Sequence, residues 1–345
     1  MSSVSLLRHQ RVTAPSVYGE EAYGLALAQD SNQEWCLLAD AHDKWTVPVL
    51  LRAIEGGGYE AASPYGYPGI YANDSLHPTQ IAAFWSNTLR ALREANVVSL
   101  FLRFPPFASS GVGIEDLTGL EGLQLAKVSQ TVEVSASDRD ESWNGMSGRA
   151  RTAVRKAIKV GMKAAVHRAD ESNLGPCSAF RQLYAATMDR IEAASHHIYG
   201  DSYYSTLFSQ LADRTMVVDV KTAEGDPAAS AIIFVDSNVV HYHLSGSDPG
   251  AARNGANNLL LWTIIEWSAD HGFDAVHLGG GLVPGDSLFK FKESFGGTPR
   301  DFWVGRAVVD PRRYNELSRR RAVALNVSLS ELESTGFFPT FRAEL

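Results

Sequence analysis

GANNLLLWTIIEWSADHGFDAVHLGGG, residues 255–281, is the stretch around which the rest of the chain can be ordered. Residues 257–272 predict a helix, stopped by His271-Gly272, and FDAVHL (273–278) predicts a buried strand that runs into Gly279-Gly280-Gly281. Immediately upstream, TMVVDVKTA (215–223), ASAIIFVDS (229–237) and NVVHYHLSGS (238–247) predict three strands joined by tight turns, the last two across an Asp-Ser-Asn junction suited to a hairpin. FRQLYAATMDRIEAA (180–194) predicts a helix before this meander, and a strongly basic helix precedes that. The order of this half is therefore helix, helix, meander, helix, strand.

The first half reads as mixed α and β. Strand-like WCLLAD (35–40) and KWTVPVLLRAI (44–54) lead to the turn-rich SPYGYPGIYAND (63–74). A helical period in PTQIAAFWSNTLRALREAN (78–96) then gives way to a buried-looking strand, VVSLFLRF (97–104). The polar SASDRDES (135–142) separates the halves, and RRYNELSRRRAVALNVSLSELESTGFF (312–338) predicts a helical tail, basic at its start, that packs back on the first half. At 345 residues the chain exceeds the roughly 250–300 that one core supports, so two domains are expected: 1–140 completed by 312–345, and 141–311.

Composition narrows the functional classes. Hydrophobic residues make up 45% and charged residues 20%, which excludes wholesale disorder and fibrous repeats. A formal charge of −8 argues against a protein that coats nucleic acid, so contact with a polyanion has to be local. No apolar run approaches the length of a membrane span, and MSSVSLLRHQRVTAP is too weakly apolar for a secretory leader; a cytoplasmic protein is expected. Cys36 and Cys177 lack metal or redox spacing and read as two buried thiols. His241 and His243 share a strand face without a third ligand nearby, and they, His196-His197 and His277 read as ordinary histidines, so no metal is expected. Neither a nucleophile elbow nor a phosphate loop ending in Gly-Lys-Ser/Thr occurs.

Two features carry chemistry. GRARTAVRKAIKVGMKAAVHR places Arg149, Arg151, Arg155, Lys156, Lys159, Lys163 and Arg168 in 21 residues without an acid. Steps of four align Arg151, Arg155, Lys159 and Lys163 on one stripe, where like charges repel unless an anion such as an RNA backbone relieves them. A solvated face balanced by acids on neighbouring elements is the plainer reading of such a run. The second feature is Leu288-Phe289-Lys290-Phe291-Lys292-Glu293-Ser294-Phe295-Gly296. Strand-like alternation would put Lys290 and Lys292 on one face, and a positioned lysine stabilises the charge that develops on a carbonyl oxygen in acyl transfer. A lysine snorkelling over a core edge is the alternative.

On these residues the second half resembles the GNAT plan, and the chain as a whole resembles the Fem-type family of tandem GNAT-like peptidyltransferases. The resemblance rests on GANNLLLWTIIEWSADHGFDAVHLGGG, on Leu288, Phe291, Lys292 and Phe295 as a Leu-x-x-Phe-Lys-x-x-Phe segment, on the basic RTAVRKAIKVGM (151–162), and on Thr187-Met188-Asp189-Arg190. It implies an α/β (α+β) protein of two GNAT-like domains, each a mixed, mostly antiparallel sheet flanked by helices. It further implies amide formation from aminoacyl-tRNA to an amine, without ATP, metal or cofactor, with a peptidoglycan precursor or a small secondary metabolite as acceptor.

By that resemblance Lys292 stabilises the reacting carbonyl and Phe291 shapes the donor channel. Arg151, Arg155, Lys159, Lys163, Arg253 and Asn257 are the donor-side candidates, and Arg190 the contact for acceptor phosphates. Tyr65, Tyr67, Arg103 and Tyr242 are candidate acceptor residues, and Asp286, by nearness in sequence, a candidate general base. GNAT enzymes that use acetyl-CoA hold its pyrophosphate on amides at a helix N-terminus. The matching Arg253-Asn254-Gly255-Ala256-Asn257-Asn258 has Ala256 and Asn258 at two positions that are glycine or small in the motif. An acyl-CoA N-acyltransferase is thus the alternative enzyme, and a catalytically silent binding module the alternative of another class.

Overall fold

The computed structural model describes residues 3–8, 14–72, 76–106, 112–194, 197–283 and 285–344. His196 and the end of the turn-rich stretch at 73–74 lie outside the described residues. The chain divides into two compact units, residues 1–128 with 302–345, and residues 129–301.

The first unit begins with β1 (Val4–Arg8), α1 (Glu21–Ser31), β2 (Glu34–Asp40), β3 (Thr46–Ala53) and β4 (Tyr59–Ala62), followed by α2 (Pro78–Glu94), β5 (Val97–Arg103) and the short α3 (Ile114–Leu117). β1 to β4 pair antiparallel in sequence, and β4 joins β5 in parallel. The start of α2 follows from its caps: Pro78 sits at the first position, and the Gln80 side chain accepts from the His77 N–H at 2.9 Å. Trp45 stacks on Phe84 of α2 at 5.7 Å, and its indole N–H is satisfied by Thr88 Oγ1 at 3.0 Å. Cys36 is buried in this core, which pushes its thiol up to about 11; Cys177, expected to be buried, is exposed.

β6 (Leu123–Ser135) carries the chain into the second unit, where α4 (Arg139–Gly145), α5 (Gly148–Lys159), β7 (Lys163–Arg168), α6 (Glu171–Leu174), α7 (Ala179–Arg190) and α8 (Asp201–Ser209) precede the meander β8 (Thr215–Lys221), β9 (Pro227–Val235), β10 (Val239–Ser247). Next come α9 (Pro249–Arg253), α10 (Ala256–Asp270), β11 (Ala275–Gly280) and α11 (Ser287–Glu293). The strand order is β6-β11-β10-β9-β8-β7, antiparallel except for the β10/β11 pair. α10 presents Leu260, Leu261, Ile264 and Ile265 to Val218, Ile233, Val240 and Val276 in one buried cluster. Apolar side chains packed at this density supply the main stabilising term of the unit.

β12 (Thr298–Val308) returns the chain to the first unit and pairs antiparallel with β5, and α12 (Pro311–Ala324) and α13 (Leu329–Ser334) complete it. Leu317 of α12 and Phe341 pack on Ile54 and Val98. Each unit is therefore a mixed, mostly antiparallel sheet flanked by helices. The observed boundaries at 128/129 and 301/302 fall about ten residues earlier than the 140/141 and 311/312 expected from composition.

Candidate functional site

FKFKESF does not alternate as a strand: it is helical, as α11 and the turn that follows. Lys290 and Lys292 therefore fall on different faces, Lys290 exposed and Lys292 buried beside Phe289, with only 7% of Lys292 accessible. Burial drives the Lys292 ammonium down from its ordinary value to about 8, against a smaller opposing pull from Asp286. Its Nζ donates to the Gly280 carbonyl at 2.7 Å and lies 5.7 Å from the centre of the Tyr242 ring. Among the described residues one donor is thus spent on the strand end and two remain.

These two contacts have a topological cause. β10 and β11 run parallel only while Val239, Val240 and His241 register on Ala275, Val276 and His277; beyond that point the two strands part. Tyr242 lies on one arm of the opening and Gly280 on the other, and Lys292 touches both. Phe291, predicted to shape a donor channel, is half-buried against the core and meets Phe295 edge-on at 5.5 Å. Tyr242, grouped by sequence with the acceptor residues, lies in the lysine's own surroundings; burial pushes its phenol up to about 12, and its hydroxyl donates to Ser245.

Asp286 is the N-cap of α11. Its carboxylate accepts N–H groups from Leu282 at 2.7 Å, Val283 at 3.2 Å and Phe289 at 2.7 Å, which hold it below the usual carboxylate range. A carboxylate tied to three amides and stabilised as the anion is a weak base, so the structure moves Asp286 from general base to the residue that sets the start of α11. A Cβ on Gly281 would come within 2.2 Å of Asp286, so glycine is required where the carboxylate folds back.

The histidines that sequence left as ordinary strand residues form a buried polar chain. His241 Nε2 is 3.0 Å from Asp236, Asp236 pairs with Arg214, and the Nδ1 atoms of His241 and His277 are 3.4 Å apart at the last paired position of the two strands. Burial first, then repulsion from His241 and Lys292, holds His277 well below its ordinary value. His243 is pushed down to about 3 by burial and meets Tyr203 Oη at 2.7 Å. Asp236 was legible only as a turn residue.

The basic segment is divided by the fold. α5 ends at Lys159, and Lys163 opens β7, so the expected four-membered stripe is broken. Arg151 is committed to structure: its Nη1 donates to the carbonyls of Trp143, Asn144 and Met146 at 3.2, 2.8 and 2.7 Å, closing the end of α4. Arg155 lies 5.2 Å over the Trp143 ring, and Lys156 donates to the Arg253 carbonyl at 2.9 Å. Arg155 and Lys159 are exposed. Arg253 ends α9, and Asn257 lies in the first turn of α10, behind Gly255 in the left-handed region. A Cβ on Gly255 would meet the Ala153 carbonyl of α5 at 2.4 Å.

Arg190, at the end of α7, is exposed and donates to Thr187 Oγ1 at 3.4 Å and the Ser247 carbonyl at 3.5 Å. In the first unit Arg103 donates twice to Ser63, through its backbone N–H at 3.1 Å and its guanidinium at 3.0 Å. Tyr67 packs edge-on against Tyr18 and Phe302, and Tyr23 Oη donates to the Tyr65 carbonyl at 3.0 Å. The structure brings Tyr65, Tyr67 and Arg103 into one cluster, and brings Lys292, Tyr242, Phe291 and Asp286 into another.

Residues 146–292 match the family model described as an acetyltransferase (GNAT) domain. Among solved structures, the chain is similar to FemX, with a TM-score of 0.68 at 13% identity over 88% of this chain and 95% of that one. It is also similar to the C-terminal domain of a putative lysylphosphatidylglycerol synthetase from Agrobacterium fabrum (TM-score 0.58, 14% identity, 84% and 89% covered) and to L-PGS from Bacillus licheniformis (0.55, 13%, 86% and 94%). No curated protein matches the chain in sequence. The fold is thus similar to that of FemX, and Lys292 is the last residue of the segment that matches the GNAT domain. No helix among the described residues is long and apolar enough to cross a membrane.

Proposed function

We propose that this Fem-type, GNAT-like chain is an aminoacyltransferase that moves an aminoacyl group from aminoacyl-tRNA to an amine of a cell-wall precursor or small-molecule acceptor. The observation that carries the reading is Lys292: a buried ammonium held between a strand-end carbonyl and an aromatic face, with donors to spare. A neutral amine attacks the ester carbonyl, a C–N bond forms, and the C–O bond to the tRNA ribose breaks as that oxygen takes a proton. The charge on the carbonyl oxygen at the midpoint is what the Lys292 cation is placed to meet, in surroundings dry enough for the attraction to be strong and already oriented. The carrier is a co-substrate, and the chemistry asks for no cofactor. Arg155 and Lys159 offer exposed cations for a phosphate backbone.

A second enzyme reading, an acyl-CoA-dependent N-acyltransferase, is favoured by the GNAT family match and by the start of α10, where Gly255 leaves the first amides without a side-chain cap. A module that only binds gains nothing from a buried cation, which is the argument against a silent domain. The test is binding of the purified protein to charged bulk tRNA and to acetyl-CoA across a salt series. Salt-sensitive tRNA binding without CoA binding is the expected result; tight CoA binding with no tRNA binding would replace this reading with the second.

A further inference from the structure

The loop between β3 and β4 holds Gly56, Gly57 and Gly58 at φ 83°, 98° and 85°, three successive left-handed residues where a tight hairpin needs one or two. The glycines border a cavity of about 460 Å³ in the first unit, a size typical of small-molecule sites. A Cβ on Gly57 would meet nothing within 4 Å, whereas one on Gly58 would come within 2.9 Å of the Asn96 carbonyl. The loop is therefore bare on one side and closely packed on the other.

Two guanidinium groups complete the lining, each anchored on a backbone carbonyl. Arg93 Nε donates to Val309 at 3.0 Å, which leaves its two terminal amino groups uncommitted among the described residues. Arg313 donates to Gly56 at 2.8 Å and to Glu316 at 3.0 Å. Asp310, the one acid in the lining, is occupied as the N-cap of α12, accepting the Arg313 N–H at 3.0 Å. Val97, Val98 and Val309 are buried in the core beneath the cavity, and Pro311 is the exposed apolar residue of its lining. Anchored arginines beside a helix start and a side-chain-free loop suit a doubly charged oxyanion, and Pro311 offers an apolar contact to a ring or short chain attached to it.

We propose that this cavity is a binding site for a small phosphate monoester, gripped by Arg93 and Arg313 with its organic part against Pro311. The site lies within the first unit and uses none of the Lys292 surroundings, so it stands or falls separately from the proposed acyl transfer. AMP, inorganic phosphate and adenosine serve as calorimetric probes of the full-length protein. AMP binds, phosphate binds more weakly and adenosine does not. Arg93→Gln weakens AMP by at least about tenfold, the scale of a charge-assisted hydrogen bond, and Arg93→Lys recovers part of it, both still folded by circular dichroism. Equal binding of AMP and adenosine, AMP binding indifferent to Arg93→Gln, or binding of neither AMP nor phosphate would overturn the proposal. So would a single-stranded RNA that binds through Arg93 where AMP does not.

Discussion

α5 and α11 both show runs of cations in sequence, and the fold treats them in opposite ways. On α5 the cations face solvent or are consumed by backbone carbonyls, as Arg151 is by the end of α4. On α11 one lysine faces solvent and its neighbour two residues on is buried at the divergence of β10 and β11. Charge density therefore marked the surface, and burial marked the lysine of the proposed chemistry. A cation in water is screened and worth little, while a cation in a dry cleft is costly to keep and strong when used.

The sharpest way to break this contrast is Lys292→Met, which keeps the shape of the side chain and removes the charge. Aminoacyl transfer is expected to fall by about 10²–10³ or more, the range for losing one oriented oxyanion donor. The pH profile sharpens it further. Lys292 is a cation below about 8, so the rate should decline as pH rises through that value, and Lys292→Arg should move that limb upward while retaining part of the rate. Asp286 separates two roles: Asp286→Asn preserves an N-cap and should keep activity within a few-fold, whereas Asp286→Ala should cost about tenfold or more by letting α11 drift. Loss of activity in Asp286→Asn equal to that in Asp286→Ala would restore it as a base.

Smaller effects are expected on α5. Arg155→Glu with Lys159→Glu should weaken tRNA binding and flatten its dependence on salt, with the melting temperature unchanged. Arg151→Ala should do the reverse, lowering stability by about 1 kcal/mol through unsatisfied α4 carbonyls with little change in the salt slope. Stability itself should report the cost of Lys292. Its folded value lies below its unfolded one, so the penalty is full below about 8 and disappears as pH rises toward 10.5. Lys292→Met should therefore melt at or above the wild type at pH 7 and lose that advantage at high pH.

Much of the fold was legible because periodicity survives burial. The helices α2, α7 and α10 and the meander β8 to β10 lie within a few residues of their predicted positions. What escaped lacked that signal. β6 and β12 carry mixed, partly exposed sequences whose partners are remote in the chain, β5 for β12 and β11 for β6, so nothing local announces them. β7 was hidden by its own charge, since KAAVHR continued the basic run. At the site, Lys292 was found for its chemistry but placed on the wrong periodicity, and Asp286 was noticed for its nearness without its capping role. The Tyr242 contact depended on two strands parting, which no spacing in the sequence records.

Hydroxylamine, a small amine surrogate, tests the role of Lys292 without knowledge of the natural acceptor. Aminoacyl-hydroxamate formed from charged bulk tRNA is measured above the uncatalysed background with the wild type and with Lys292→Met. Protein-dependent hydroxamate is expected with the wild type and none above background with the folded variant. Equal formation by both would contradict that role.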